Sequence, residues 1–255
     1  MAEPRKSVIG LDLGSRMTKV VRLLGDRMTD SRVFDTGHEP LTHLLAILDG
    51  LSADILVATG YGRYLAKSRM PCATVTEIRA CARAARHLAP DCQSAIDIGG
   101  QDTKAVELAG GGEFGRFEMN DRCAAGTGRF LEVMAAALGY RLEELGPEAL
   151  RADRPVEINS MCTVFAESEV VSLVAKGEDR RRIALGLHVA AARRIAAMAS
   201  RVRIGRRTLL VGGVALNPCM VAALREELSS ELVVPESPEL AVALGAALIG
   251  LETAV

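Results

Sequence analysis

A motif of ten residues occurs twice in this chain. Asp12-Leu13-Gly14-Ser15-Arg16-Met17-Thr18-Lys19-Val20-Val21 aligns with Asp97-Ile98-Gly99-Gly100-Gln101-Asp102-Thr103-Lys104-Ala105-Val106, the Asp, Gly, Thr, Lys and last Val in register. Each copy follows an apolar stretch (Val8 to Leu11; Ala95 and Ile96) and runs on into a second strand-like stretch, to Leu24 and to Leu108. The unit reads as strand, tight Gly turn, strand: a hairpin whose turn carries an acid and exposed backbone N–H groups. Two such hairpins from a duplicated domain can face each other and grip a polyphosphate from both sides. Amides and hydroxyls would meet phosphate oxygens, and Asp12 and Asp97, expected on solvent-facing turns, would hold a magnesium ion through its water shell.

The chain has 255 residues, enough to bury a full core and to divide into two lobes. With 31 Lys and Arg against 32 acids, no global field recruits nucleic acid or an acidic membrane. The longest uncharged apolar run, Leu240 to Leu251, is too short to span a bilayer and reads as a buried helix. Arg5 and Lys6 precede an apolar run that Asp12 interrupts, so no signal peptide is expected and a cytoplasmic location is. In that compartment the six Cys read as thiols or metal ligands rather than disulfides.

Beyond the first hairpin, Val33-Phe34 predicts a third strand, Leu41 to Leu48 a helix, and Asp54 to Ala58 a buried strand ending in Thr59-Gly60-Tyr61-Gly62. Glu77 to Leu88 is helix-like and stops before Pro90. The second hairpin opens at Ser94, and its return strand is expected to cross Gly110-Gly111-Gly112. Helices are expected over 127–138, 163–175, 179–201 and 218–228, with strands at 208–211 and 232–234 and a last helix from Glu239. Strands mixed with helices in each half argue for α/β lobes with mixed sheets. Lobe I is placed at 1–92 with the helix 239–255 returning to it, and lobe II at 93–238.

Neither G-x-x-x-x-G-K-[ST] nor a G-x-G-x-x-G after a strand is present. Besides the double Asp-x-Gly turn there is Val211-Gly212-Gly213-Val214-Ala215-Leu216-Asn217-Pro218, a strand end, a Gly pair and a helix start. Glycines there let the backbone approach a flat ligand, while Asn217 reads either as a ligand contact or as the N-cap of the next helix. This combination resembles the superfamily of actin, the 70-kDa heat-shock chaperones and sugar kinases. The resemblance implies two ribonuclease-H-like lobes with ATP in the cleft between them and magnesium flanked by Asp12 and Asp97. Glu77 resembles the carboxylate that positions the attacking water in the chaperones; equally, it reads as a first-turn acid favoured by the helix dipole.

Cys123 lies in Met119-Asn120-Asp121-Arg122-Cys123-Ala124-Ala125-Gly126-Thr127-Gly128, and Cys162 in Asn159-Ser160-Met161-Cys162-Thr163-Val164-Phe165, each at or before a helix start. A helix N-terminus favours the thiolate that binds iron. Two Cys cannot satisfy a cubane, which needs four ligands, but a symmetric dimer supplies the other two. The alternative is that both are small buried apolar residues.

These two segments, with Thr59-Gly60-Tyr61-Gly62-Arg63, Asp97-Ile98-Gly99-Gly100-Gln101-Asp102, Gly212-Gly213-Val214-Ala215 and Ala243-Leu244-Gly245-Ala246-Ala247, closely resemble the activator ATPases of 2-hydroxyacyl-CoA dehydratases. The ATPase subunits of benzoyl-CoA reductases belong to the same BadF/BadG/BcrA/BcrD family. The resemblance covers nearly the whole chain. It implies an ATPase coupled to electron transfer, with Cys123 and Cys162 of each chain ligating one [4Fe–4S] cluster across a homodimer. It also implies a ferredoxin or flavodoxin donor and a dehydratase or benzoyl-CoA reductase partner in anaerobic metabolism. Cys72, Cys81, Cys92 and Cys219 match no ligand position. Asp12, Asp97, Glu77 and Gln101 are the catalytic candidates. Gly14, Ser15, Thr18, Lys19, Gly99, Gly100, Gln101, Asp102, Gly126, Gly128, Gly212, Gly213 and Asn217 are the candidates for binding ATP. The chain departs from the family at Arg79-Ala80-Cys81 and Ala84, which stand for a Cys-His pair and a Gly. It departs again where Glu239 and Ala241-Val242 replace a Gln-containing, Gly-preceded stretch. The run Glu178-Asp179-Arg180-Arg181-Arg182 has no family role and reads as a solvated helix start.

Two rivals share the fold: a sugar or acyl kinase, which would need a base beside a substrate alcohol, and a non-redox regulatory ATPase. Neither requires paired Cys at helix starts.

Overall fold

The computed structural model describes residues 6–160 and 162–253, except for the side chain of Leu41. Arg5, Met161 and the last two positions of the expected C-terminal helix lie outside the described residues. In chain order the elements are β1 (Ser7–Leu13), β2 (Met17–Leu24), β3 (Arg27–Asp35), α1 (Pro40–Leu48), β4 (Ile55–Thr59), α2 (Arg63–Lys67), β5 (Ala73–Thr74) and α3 (Glu77–Leu88). There follow β6 (Ser94–Ile98), β7 (Thr103–Leu108), β8 (Phe114–Asn120), α4 (Gly128–Leu138), α5 (Leu142–Ala149), α6 (Thr163–Ala175), α7 (Arg180–Ala199), β9 (Arg207–Val211), α8 (Pro218–Glu227), β10 (Glu231–Val233) and α9 (Ala241–Thr253). They form two compact units, one within Met1–Asp91, Leu108–Gly115 and Glu239–Val255, the other within Cys92–Glu107 and Arg116–Pro238.

The fold is α/β with two mixed five-stranded sheets, in the orders β3-β2-β1-β4-β5 and β10-β9-β6-β7-β8. Read outward from the Asp-bearing strand, the two orders are the same. In each sheet that strand is central, antiparallel to its hairpin partner on one side and parallel to β4 or β9 on the other. A strand flanked on both sides is mostly apolar, and β1 and β6 are buried along their whole length, the buried Asp12 and Asp97 included. The duplication visible in ten residues thus extends to five strands.

In the first unit the helix α9 is buried on every side from Ala241 to Gly250, which explains its uniformly apolar sequence. It lies against β1 at Gly10, where a Cβ would come within 2.6 Å of the Ala247 nitrogen, and its Gly250 faces Val8 and Val57. Helix α3 starts at Thr76, whose hydroxyl accepts the Arg79 N–H, and buries Ile78, Ala80, Cys81, Ala82, Ala84 and Ala85.

Three details differ from the sequence reading. The return strand does not cross the Gly run: β7 ends at Leu108, and Gly111 and Gly112 take φ of 79° and 88° in a tight turn before β8. That turn packs on α3, with Gly112 against Arg83, so 108–115 groups with the first unit rather than the second. Helix α5 was not expected, because Gly146 and Pro147 sit inside it.

Candidate functional site

The Asp of each hairpin is paired across the ladder with the Lys of the same hairpin: Asp12 with Lys19, and Asp97 with Lys104. Directly opposed side chains on one face can meet. Lys19 Nζ lies 3.0 Å from Asp12 Oδ2. Lys104 Nζ lies 3.7 Å from Asp97 Oδ2 and 2.7 Å from Asp102 Oδ2. Both acids are buried strand residues, 7% and 4% exposed, rather than residues of solvent-facing turns. The expectation of exposed acids failed because each Asp precedes the turn by one residue and belongs to a central strand.

The other oxygen of each carboxylate is walled in. One residue beyond the parallel partner of Asp12 is Gly60, and one beyond that of Asp97 is Gly212. Their φ values are 87° and 89°. A Cβ on either would lie 2.6 Å from Oδ1 of the adjacent Asp. Only Gly combines this left-handed backbone with that approach. The Thr59-Gly60-Tyr61-Gly62 turn is therefore the first unit's counterpart of Val211-Gly212-Gly213. A strand followed by Gly near a second Gly, in both halves, was the available signal, as was Lys104 in the repeated motif.

The turns themselves are braced differently. In the first, the Thr36 hydroxyl donates to the Gly14 carbonyl at 2.9 Å and is 2.9 Å from the Thr18 hydroxyl. Thr18 is thus tied inward, while Ser15 is exposed. In the second, the Gly128 N–H donates to the Gly99 carbonyl at 2.9 Å and the Arg129 N–H to that of Gly100 at 2.7 Å. The first amides of α4 are thereby joined to the second Asp-x-Gly turn. Gly126 is buried against Ile195 with φ of 86°, and its carbonyl accepts the Thr103 hydroxyl at 2.8 Å. Gln101 is exposed at the turn, and Gly213 faces open space. Asn217 caps α8, accepting the Met220 N–H at 3.0 Å, and its amide lies against Gly146. Glu77 occupies the first turn of α3 in the first unit.

Cys162 is the exposed N-cap residue of α6. Cys123 is half-buried in the loop before α4, where its carbonyl accepts the Asn120 amide at 2.8 Å. Helices α4 and α6 pack together in the second unit. Neither thiol is in a disulfide. Among the described residues no three His, Cys, Asp or Glu side chains gather in one place. The remaining thiols are of another kind. Burial raises Cys72 above the ordinary thiol range against the opposing effect of Lys67, burial and Glu231 raise Cys92, and burial with Glu226 pushes Cys219 up to about 12. Cys81 is fully buried. The exposed side of α6 carries Val164 and Phe165, 66% and 67% exposed, with Val171 and Val174, beside exposed Glu167, Ser168 and Ser172. Among the described residues no helix is long and apolar enough to cross a membrane.

The BadF/BadG/BcrA/BcrD ATPase family matches residues 41–250. The chain is 37% identical to the 2-hydroxyisocaproyl-CoA dehydratase activator of Clostridioides difficile, over 96% of this chain and 95% of that protein. It is 31% identical to a benzoyl-CoA reductase subunit from Thauera aromatica, over 94% and 92%. The solved structure of the activator of the 2-hydroxyisocaproyl-CoA dehydratase from Clostridium difficile with bound ADPNP aligns with a TM-score of 0.90 at 37% identity, covering 97% of this chain and 95% of that one. A ROK-family glucokinase from Streptomyces griseus aligns with a TM-score of 0.61 at 13% identity, a likeness of fold alone.

Proposed function

The chain belongs to the BadF/BadG/BcrA/BcrD ATPase family, and from that premise we propose that it is an ATP-hydrolysing activator. It would drive a low-potential electron from a shared [4Fe–4S] cluster into a 2-hydroxyacyl-CoA dehydratase or a related iron–sulfur enzyme. The observation that carries this reading is the contrast among the thiols. Cys123 and Cys162 sit beside the starts of two packed helices, one half-buried and the other exposed, whereas Cys72, Cys92 and Cys219 are held protonated. The donor set suits iron, since cysteine sulfur is the usual ligand of iron–sulfur clusters and both thiols are accessible.

Each chain contributes Cys123 and Cys162, and a second copy completes the four ligands that a cubane requires. The exposed Val164 and Phe165 of α6, next to its N-cap Cys162, support such an association. When bound, the cluster supplies one-electron chemistry at a potential tuned by nearby hydrogen bonds and solvent exposure. A ferredoxin or flavodoxin would refill it.

The residues of the two Asp-x-Gly turns would bind magnesium-ATP, with Asp12 and Asp97 accepting hydrogen bonds from the ion's waters and turn amides meeting phosphate oxygens. The clamped carboxylates fit that role. Lys on one oxygen and Gly backbone at the other fix their orientation before any ligand arrives. Glu77 and Gln101 would orient the attacking water. Phosphate contacts that shift the second turn would act on α4 through the Gly99–Gly128 and Gly100–Arg129 hydrogen bonds, and so on the loop that carries Cys123. This gives nucleotide state a physical route to the cluster's surroundings.

The named relative in benzoyl-CoA reductase supports a second reading, an ATPase component of that type of enzyme. The two readings differ in partner rather than in chemistry. Reduced protein mixed with a 2-hydroxyacyl-CoA dehydratase or a benzoyl-CoA reductase should activate that enzyme only with hydrolysable ATP. Phosphorylation of a sugar or carboxylic acid by the isolated protein, independent of reductant, would refute both.

A further inference from the structure

Two buried polar atoms in the first unit, Thr59 Oγ1 and Glu239 Oε2, have no hydrogen-bond partner among the described residues. Thr59 is 0% exposed. It is the parallel partner of Asp12, so the two side chains leave the sheet on the same face. That face is the one α9 covers, because Gly10, two positions before Asp12, lies against Ala243 and Ala247. With Gly250 against Val8 and Ala243 against Gly10, α9 runs antiparallel to β1. Four residues back from Ala243 is Glu239, and two residues on from Gly10 is Asp12, each step about 6 Å. Glu239 lies in the 3-10 turn Pro238–Leu240 that leads directly into α9, and so at the end of β1 where Asp12, Thr59 and Lys19 meet.

An acid just ahead of a helix would normally keep its carboxylate in water or on the helix amides. Here one oxygen is shut away from solvent with no donor, an arrangement that costs free energy unless a ligand supplies the donors. The second unit has no equivalent hydroxyl, since Val211 stands beside Asp97 where Thr59 stands beside Asp12. The charges differ in step. The first turn carries Asp12 with Arg16 and Lys19, whereas the second already has an extra acid, Asp102, on its Lys.

We propose that Glu239 is a positioning residue for the nucleotide's divalent cation. Its buried carboxylate oxygen and the Thr59 hydroxyl accept hydrogen bonds from water molecules on the ion held at Asp12. Magnesium keeps most of its waters and favours such outer contacts. The inference rests on the magnesium-ATP reading above and adds an acid that the family's Gln-containing stretch lacks.

The sign of the charge gives a test that a structural role would not mimic. A carboxylate at this point attracts a hydrated cation but repels a metal-free polyphosphate. Binding of AMPPNP to the full chain is measured by calorimetry with excess magnesium and again in EDTA, for wild type, Glu239→Gln, Glu239→Asp and Thr59→Val. Glu239→Gln should bind AMPPNP roughly tenfold more weakly with magnesium and more tightly in EDTA. Glu239→Asp should recover most of the magnesium dependence, and Thr59→Val should weaken only the magnesium-dependent binding. If Glu239→Gln moves both affinities the same way, or leaves the magnesium dependence as in wild type, the inference is wrong while the magnesium-ATP reading stands. A wild-type protein that binds AMPPNP equally with and without magnesium overturns both.

Discussion

The Gly128 N–H donates to the Gly99 carbonyl at 2.9 Å, so the first residue of α4 and the second Asp-x-Gly turn are one hydrogen-bonded piece. A side chain at Gly128 would be tight against the turn: a Cβ there would lie 3.2 Å from Gly100 Cα and 3.3 Å from the Gly99 oxygen. The turn and the helix that follows the Cys123 loop therefore cannot be displaced independently.

Gly128→Ala should test this coupling with little harm to folding, since Ala is the better helix residue. The added methyl displaces the turn by a few tenths of an ångström. ATP turnover should fall about tenfold, given what small misplacements cost in active sites. The paramagnetic spectrum of the reduced protein should also respond less to nucleotide. Normal turnover with a normal nucleotide response would show that turn and helix are not coupled.

Asp97→Ala should abolish ATP hydrolysis and also lower stability, by about 2 kcal/mol, because buried Lys104 loses one of its acidic neighbours. Asp97→Asn should lose hydrolysis with a smaller stability loss. Hydrolysis at the wild-type rate in either variant would place the nucleotide elsewhere, and thermal melts read the stability difference.

His188 gives the second unit a defined acid sensitivity. Burial pushes its pKa down to about 4, and its Nδ1–H donates to the Ala184 carbonyl at 2.8 Å. The unfolded chain binds a proton near pH 6.5 and the folded chain does not. The neutral ring's contribution is therefore complete above pH 6.5 and is lost as pH falls toward 4, amounting to roughly 3 kcal/mol. Wild type should melt at a lower temperature at pH 5 than at pH 7.5, and His188→Gln should show a smaller difference. Equal pH dependence in the two proteins would mean that other groups set it.

Cysteine labelling separates the two classes of thiol directly. In cluster-free native protein at pH 8, iodoacetamide should modify exposed Cys162 and spare Cys219, whose thiolate fraction is about one in ten thousand at a pKa of about 12. Mass spectrometry of the digested protein reports this, and rapid labelling of Cys219 would contradict its burial.

The hairpins, the central strands and most helices were legible in the sequence because their signals are local: Asp-x-Gly turns, apolar runs and a cap such as Asn217. What remained hidden depends on contacts between distant residues. The pairing of Gly60 with Asp12 and of Gly212 with Asp97 arises from parallel strands far apart in the chain, so the equivalence of their turns emerges only in the sheets. Asp12 and Asp97 looked like turn residues, yet each ends up inside a central strand. Gly126 accepts the Thr103 hydroxyl through a contact between residues 23 apart, which no local pattern shows.

The central claim is that two chains share one cluster through Cys123 and Cys162. It is tested most directly by iron content and colour after anaerobic purification of wild type, Cys123→Ser, Cys162→Ser and the double variant. The wild-type protein should be brown with about two irons per chain. Each variant should be colourless, while Cys72→Ser and Cys219→Ser keep the colour. About four irons per chain, retained in the double variant, would contradict the account.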